Sequence, residues 1–268
     1  MIEQVITHAW GRAANPGNGA MRQRLIDAST DVCVTLNGIR HGAAFQTFRP
    51  MADMALSFAD FHAAGVGVYV MSWARPDEVH ARAACAVLRE LYWGLGLKGI
   101  VLDLEGPWAR GFPKGHRPRT AALREAERRR IAEIYRDELQ GIPIIITDVV
   151  YSTDGVIRPW HGIACEFWIQ CHAWPKNRGR VTGPTRLPQK AHERHSHRPM
   201  KLVFGGAAYT TSQSGPQSRR SLIEHAASVV ALGGTAIPYW TTPQFKTRIY
   251  RDVLAEIKAQ ALASQVAA

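Results

Sequence analysis

Two carboxylates stand two residues apart at the end of an apolar run, Ile100-Val101-Leu102-Asp103-Leu104-Glu105. In an extended strand Val101, Asp103 and Glu105 share one face, and Leu102 and Leu104 share the other. The two acids then lie ~7 Å apart along the strand. Like charges at that spacing do not both ionise readily, so one pKa should rise. A protonated acid beside an ionised carboxylate is what cleavage of a glycosidic bond requires. The bland alternative is a pair of acids tied to arginines at a rim. Two acids on an otherwise apolar strand are costly to bury without a purpose, which favours the chemical reading.

Other residues could complete such a site. Asp148 ends the next apolar run, on the face shared by Ile144 and Ile146, and could orient a substrate or tune the pair; the alternative is a turn or N-cap aspartate. Glu166, Trp168, Gln170 and His172 alternate onto one face of a further run. Gln170 would reach the mouth and bond a carbonyl or hydroxyl, and Glu166 would lie deeper, paired with a basic group. Aromatics gather at run ends: Trp10, Trp73, Trp108, Tyr151, Trp168, Trp174, Tyr209 and Trp240. Trp73, Trp108 and Trp240 directly follow a strand and are the first candidates for stacking on sugar rings. His8, Trp10 and Tyr209 join them as candidate substrate contacts, and core packing claims the remainder.

These positions need a scaffold that brings eight run ends together. The runs are Val5–Trp10, Val32–Asn37, Val66–Trp73, Gly99–Glu105, Ile142–Asp148, Ile163–Cys171, Leu202–Ala207 and Thr235–Trp240. Nearly continuous β-branched runs of this kind mark buried parallel strands. Helix signals lie between them. Asp77–Trp93 starts after Pro76 and stops at Gly94, Arg119–Gln140 stops at Gly141, and Pro216–Leu232 stops at Gly233-Gly234. Pro243–Ser264 reads as the last helix. Strand-then-helix alternation repeated eight times predicts an α/β fold, a single (β/α)8 barrel over residues 1–268. Active sites of such barrels sit at the C-terminal strand ends. Two segments depart from the pattern: Tyr151–Gly162 is too short for a full crossover helix, and Ala173–Pro199 reads as a long irregular excursion.

Composition narrows the partners. The 268 residues carry a net charge of +11, concentrated in Arg117–Arg130 and Lys176–Lys201. That balance favours an anionic surface or polymer without indicating specific nucleic-acid binding. No apolar stretch reaches the ~20 residues of a membrane span, and the N-terminus lacks a signal-peptide pattern. The expectation is a monomer made in the cytoplasm and released to a cell wall, if at all, through a separate pore. Cys33, Cys85, Cys165 and Cys171 form no CxxC, and Cys33 and Cys165 sit in apolar surroundings, so reduced structural thiols are expected. The cluster His192-Glu193-Arg194-His195-Ser196-His197 matches no ligand spacing with an open position and reads as solvated surface. No dinucleotide or P-loop fingerprint is present, so no cofactor and no metal are expected.

The run Ile100–Glu105 resembles the strand-four motif of barrel glycoside hydrolases of the lysozyme type, glycoside hydrolase family 25, with chitinase-like features. The resemblance implies that Glu105 is the acid on the glycosidic oxygen and Asp103 its assisting carboxylate. In chitinase-type barrels the Asp orients a substrate acetamido group that itself attacks. Where family 25 carries an Asp on strand one, this chain offers His8 or Trp10. The resemblance implies an amino-sugar polysaccharide substrate, with peptidoglycan first. The alternatives are a non-catalytic barrel that binds carbohydrate or protein, and a metal-dependent hydrolase built on His8, Asp103, Glu105 and Asp148.

Overall fold

The computed structural model describes residues 2–9, 19–36, 51–105, 108, 121–171, 175–176, 180–181, 186–207, 218–241 and 252–260. Eight parallel strands close into a barrel: β1 Gln4–Ala9, β2 Asp31–Thr35, β3 Gly67–Trp73, β4 Gly99–Asp103, β5 Ile144–Val149, β6 Glu166–Gln170, β9 Lys201–Ala207 and β10 Ala236–Thr241. Their order around the barrel is β1-β10-β9-β6-β5-β4-β3-β2. The short strands β7 Pro175–Lys176 and β8 Arg180–Val181 pair antiparallel outside it.

The eight strands coincide with the eight apolar runs, and alternation divides their residues between two cores. Ile100, Leu102 and Leu104 pack outward against the helices with Ile144, Ile146, Phe167 and Ile169. Val101 lies inside the barrel with Ile6, Cys33, Met71, Ile145, Trp168, Val203 and Trp240. The filled interior is a packed core and no pore. Gly205 makes room for Trp240. A Cβ there would fall well inside contact distance of the Trp240 indole and 2.9 Å from the Pro238 carbonyl oxygen.

The helices are α1 Gly19–Ala28, α2 Met51–Ala63, α3 Glu78–Leu95, α4 Ala121–Glu138, α5 Asp154–Ile157, α6 Arg186–His195, α7 Arg219–Ala231 and α8, residues 252–260. Asp77 caps α3 by accepting from the His80 N–H at 2.8 Å. The helix runs through Gly94 and stops at Gly96, which takes the left-handed conformation (φ 62°) and bonds the Tyr92 carbonyl. The expected stop at Gly94 was therefore two residues early. A glycine inside a helix costs only ~1 kcal/mol, whereas the left-handed cap position itself favours glycine.

The first departing segment is a short crossover, as expected: α5 is followed by a single 3-10 turn, Arg158–Trp160. Ile163 and Ala164 both donate to the Trp160 carbonyl and complete a turn. Strand β6 therefore starts at Glu166, later than read from the sequence, and Cys165 is exposed rather than apolar. Its thiol donates to the Ile144 carbonyl at 3.2 Å. All four cysteines are free thiols.

The second departing segment is more ordered than its composition suggested. Helix α6 is the crossover between β6 and β9, and it buries Leu187, Pro188, Ala191 and His195. This spacing gives one helical face, diluted by the polar residues between. His195 is no surface histidine. Arg198 Nε donates to its Nδ1 at 2.8 Å, so Nε2 carries the proton and donates to the Val150 carbonyl at 2.9 Å. Arg198 reaches on to Asp154 Oδ1 at 2.6 Å. Among the described residues no helix is long and apolar enough to cross a membrane.

Candidate active site

Strand β4 carries Asp103 as its last residue, and Glu105 follows two positions later. In register Asp103 lies between Trp73 of β3 and Thr147 of β5. It is 2% exposed. Glu105, at the opening, is half-buried. Its backbone N–H donates to Asp103 Oδ1 at 3.1 Å, and the nearby Gln170 side chain favours its charged form. Gln170 is itself buried and donates to Thr147 Oγ1 at 3.4 Å, while Thr147 donates to the Trp168 carbonyl.

Asp148 is 4% exposed. Val149 N–H donates to its Oδ1 at 2.7 Å, and Ser152 Oγ donates to its Oδ2 at 2.6 Å. The face it shares with Ile144 and Ile146 packs against the helices, while Ile145 lies inside the barrel. Strand parity alone therefore does not aim Asp148 into the mouth. It nevertheless stands close enough that its charge acts on both Asp103 and Glu105.

Three acids thus share one end of the barrel. Burial raises the Asp103 pKa well above the usual carboxylate range, with the charges of Glu105 and Asp148 adding and the Glu105 N–H opposing. Burial and then the Asp148 charge push Glu105 from 4.5 to about 7, against the Gln170 side chain. Burial raises Asp148 too, opposed by Ser152 and Val149. Among the described residues no cation acts on any of the three acids. Environments that hold a carboxylic acid protonated near neutrality produce a general acid.

The remaining candidates fall into three groups. Trp73 packs against the inner core and flanks Asp103. Trp240 and His8 are buried inside the barrel, ring edge to face with centroids 5.3 Å apart, and His8 Nε2 lies 3.2 Å from Thr35 Oγ1. Trp108 is a correction. It is fully buried in the helix-facing core, with Nε1 donating to the Ala74 carbonyl at 3.1 Å and its ring 5.2 Å from Trp160. Its burial among Ala74 and Trp160 shows that following a strand did not make it a cleft residue. Trp10, Tyr209, His172 and Trp174 lie outside the described residues. Glu166 is the paired acid expected of it, bonded by Trp168 Nε1 at 2.7 Å and by Lys201 at 2.9 Å, but it is half-buried at the start of β6 and not deep.

Among the described residues no group of three His, Cys, Asp or Glu is arranged to hold a metal ion. A pocket of about 530 Å³ opens at the other end of the barrel, lined by Asp31, His62, Lys98 and Lys258 among others. Its polar groups already have partners: Lys98 with Asp31 at 2.6 Å, Lys258 with the Ile26 carbonyl at 2.6 Å, and His62 with the Leu95 carbonyl at 2.9 Å. The strand N-termini meet at that end, away from the acids.

Ser152 escaped the sequence reading. Its signal was the spacing Asp148-x-x-x-Ser152 in a stretch already too short for a crossover helix, since serine hydroxyls readily bond nearby groups in turns.

No family model matches the chain, and no curated protein matches its sequence. Solved structures do match. A chitinase from Chromobacterium violaceum is 16% identical, with 97% of this chain and 99% of that chain covered and a TM-score of 0.64. The PgaB glycoside hydrolase domain from Bordetella bronchiseptica is 10% identical, covering 96% and 99%, with a TM-score of 0.64. A xylanase–α-amylase inhibitor protein is 12% identical, covering 96% and 99%, also with a TM-score of 0.64. At these identities the likeness is one of fold.

Proposed function

We propose that the protein hydrolyses glycosidic bonds in an amino-sugar polysaccharide, with Glu105 as general acid. The observation that carries this reading is the Asp103–Glu105 pair at the C-terminal end of β4, Asp103 buried and Glu105 half-buried at the opening, with the Glu105 pKa raised to about 7. The printed names of two solved structures of the same fold, a chitinase and a glycoside hydrolase domain, support it.

Two-carboxylate glycosidases place their acids on opposite sides of the scissile bond. Asp103 stands beside Glu105 on the same strand, with one oxygen taken up by the Glu105 N–H. That arrangement suits the substrate-assisted route better. Glu105 gives its proton to the glycosidic oxygen, and the bond from that oxygen to C1 breaks. The oxygen of the neighbouring acetamido group closes on C1, with Asp103 holding the amide. A water then opens that ring, and Glu105 takes the water's proton and is restored. In this reading Trp73, which flanks Asp103, and Gln170 are the sugar contacts. Peptidoglycan, the sequence-based expectation, and chitin, the substrate named by the neighbouring chitinase, both present such acetamido groups.

The test is incubation with chitin oligosaccharides and with purified peptidoglycan, followed by mass analysis of released fragments. Fragments from wild type and none from Glu105→Gln are expected. Equal release by both proteins would remove Glu105 from the chemistry. A second reading, a non-catalytic barrel, is favoured by the inhibitor protein that shares the fold. It predicts polysaccharide or protein binding with no fragments from wild type.

A further inference from the structure

Thr147 of β5 stands in register with Asp103 on one side and with Trp168 on the other. Two residues after Ile145, it shares the inward face of its strand, and it is fully buried. Gln170 stands two residues after Trp168, at the last position of β6 and on its inward face. It too is buried. Polar groups in such a place are satisfied by their neighbours, and those neighbours decide which way each group faces.

The Thr147 hydroxyl has one hydrogen to give. It goes to the Trp168 carbonyl at 2.8 Å, an oxygen that can only accept. The Thr147 oxygen is left as an acceptor. A glutamine amide has two unlike ends, an NH2 that donates and an oxygen that accepts. Only the NH2 end suits the Thr147 oxygen, and Gln170 Nε2 lies 3.4 Å from Thr147 Oγ1. The contact is long, and its weight lies in the direction it imposes. The reversed amide would set two oxygens against each other with no hydrogen between them. Among the described residues no group donates to Gln170 Oε1. The accepting end of the amide is thus the end left for a ligand.

We propose that Thr147 is a positioning residue for substrate binding: by giving its hydrogen to Trp168 it commits the Gln170 NH2 to itself and leaves the Gln170 oxygen to accept from the sugar. The proposal rests on Gln170 being a sugar contact of the proposed hydrolysis. In that route Asp103 holds the acetamido group, so the donor left for Gln170 is a sugar hydroxyl. Without the Thr147 hydroxyl nothing opposes the reversed amide, which presents a donor where the sugar also brings one.

The experiment is calorimetric binding of a soluble chitin oligosaccharide to the full chain carrying Glu105→Gln, in which no cleavage is expected. Thr147→Val, Thr147→Ser, Gln170→Leu and the Thr147→Val/Gln170→Leu pair are each added to that parent. Valine keeps the branched shape and strand preference of threonine without its hydroxyl. Thr147→Val should raise Kd about tenfold, and Gln170→Leu at least as much. Thr147→Ser, which keeps the hydroxyl, should stay near the parent, and Thr147→Val should add nothing in the Gln170→Leu background. An unchanged Kd in Thr147→Val overturns the proposal, as does an equal rise in Thr147→Ser, a further rise in the double variant, or a parent that does not bind the sugar. Should Thr147→Val not fold, the Gln170 side-chain amide of the parent still decides. Nuclear Overhauser contacts from its NH2 to the Thr147 side chain are expected, and their absence overturns the proposal. Fragments from wild type with an unchanged Kd in Thr147→Val remove the role of Thr147 and leave hydrolysis standing. The expected Kd pattern with no fragments from wild type does the reverse.

Discussion

The backbone N–H of Glu105 donates to Oδ1 of Asp103 at 3.1 Å, so the two acids are joined through main chain. One Asp103 oxygen is committed to this contact with Glu105; under the proposed hydrolysis the other serves the substrate. Asp103→Asn keeps an oxygen for that N–H, whereas Asp103→Ala does not. Both variants should lose activity, with Asp103→Ala at least about tenfold below Asp103→Asn in kcat. That gap corresponds to a hydrogen bond of about 1.5 kcal/mol. Steady-state rates on a soluble chitin oligosaccharide measure it, and equal rates would show that the N–H contact does not matter to catalysis.

Activity should fall on the alkaline side as Glu105 loses its proton. Its pKa is raised by burial and by the Asp148 charge to about 7, and only the protonated form donates. The alkaline limb of kcat/KM should therefore have its midpoint near 7. A limb near 4.5, the ordinary glutamate value, would mean that the acid is elsewhere.

The same shift makes a statement about stability. A carboxyl whose pKa is raised in the fold is still protonated there when the unfolded chain has already ionised it. Stability is thus fullest below pH 4.5 for this group and is lost as pH rises through about 7. The rise from 4.5 to about 7 amounts to at most about 3–4 kcal/mol. Glu105→Gln removes that liability. It should unfold at higher temperature than wild type at pH 8, with the difference vanishing toward pH 4, even as it loses hydrolysis. Thermal unfolding across pH checks this, and a pH-independent offset would point to packing instead.

Within the histidine-rich segment, one residue should matter far more than its neighbours. His195 is fully buried and links Arg198 to the Val150 carbonyl, whereas His197 is exposed. His195→Ala leaves the buried Arg198 guanidinium short of a partner and should cost about 2–4 kcal/mol. His197→Ala should stay within about 0.5 kcal/mol of wild type. Urea unfolding of the two variants separates them.

The contrast between these histidines marks where sequence reasoning stopped. The eight strands and the inward face of β4 were legible because burial on both sides leaves long β-branched runs with a period of two. Asp103, Glu105 and Gln170 followed directly from that register. The dense charge of residues 190–198 hid the apolar face of α6, since the buried positions there include a histidine and an arginine that only their partners make tolerable. Trp108 misled for a related reason. Alternation says which way a strand residue points, but nothing about a residue three positions past Glu105, beyond the end of the strand. Asp148 had the opposite fate: its parity points away from the mouth, and a hydroxyl four residues later takes up one of its carboxylate oxygens.

Gly205 and Trp240 test the filled interior beneath the acids. A Cβ at position 205 would overlap the Trp240 ring and lie 2.9 Å from the Pro238 carbonyl oxygen. The ring cannot retreat freely, because His8 packs edge-on against it at 5.3 Å. Gly205→Ala should therefore destabilise the protein by about 1–3 kcal/mol, the usual cost of overpacking a close-packed core. Trp240→Phe alone should also destabilise it, by leaving a void. Combined, the two changes exchange one excess of volume for one deficit. The double variant should be more stable than the sum of the single losses predicts, by at least about 0.5 kcal/mol. Denaturant midpoints of the four proteins measure that coupling. Strict additivity would mean that the overlap at Gly205 is set by the Pro238 backbone and not by the indole.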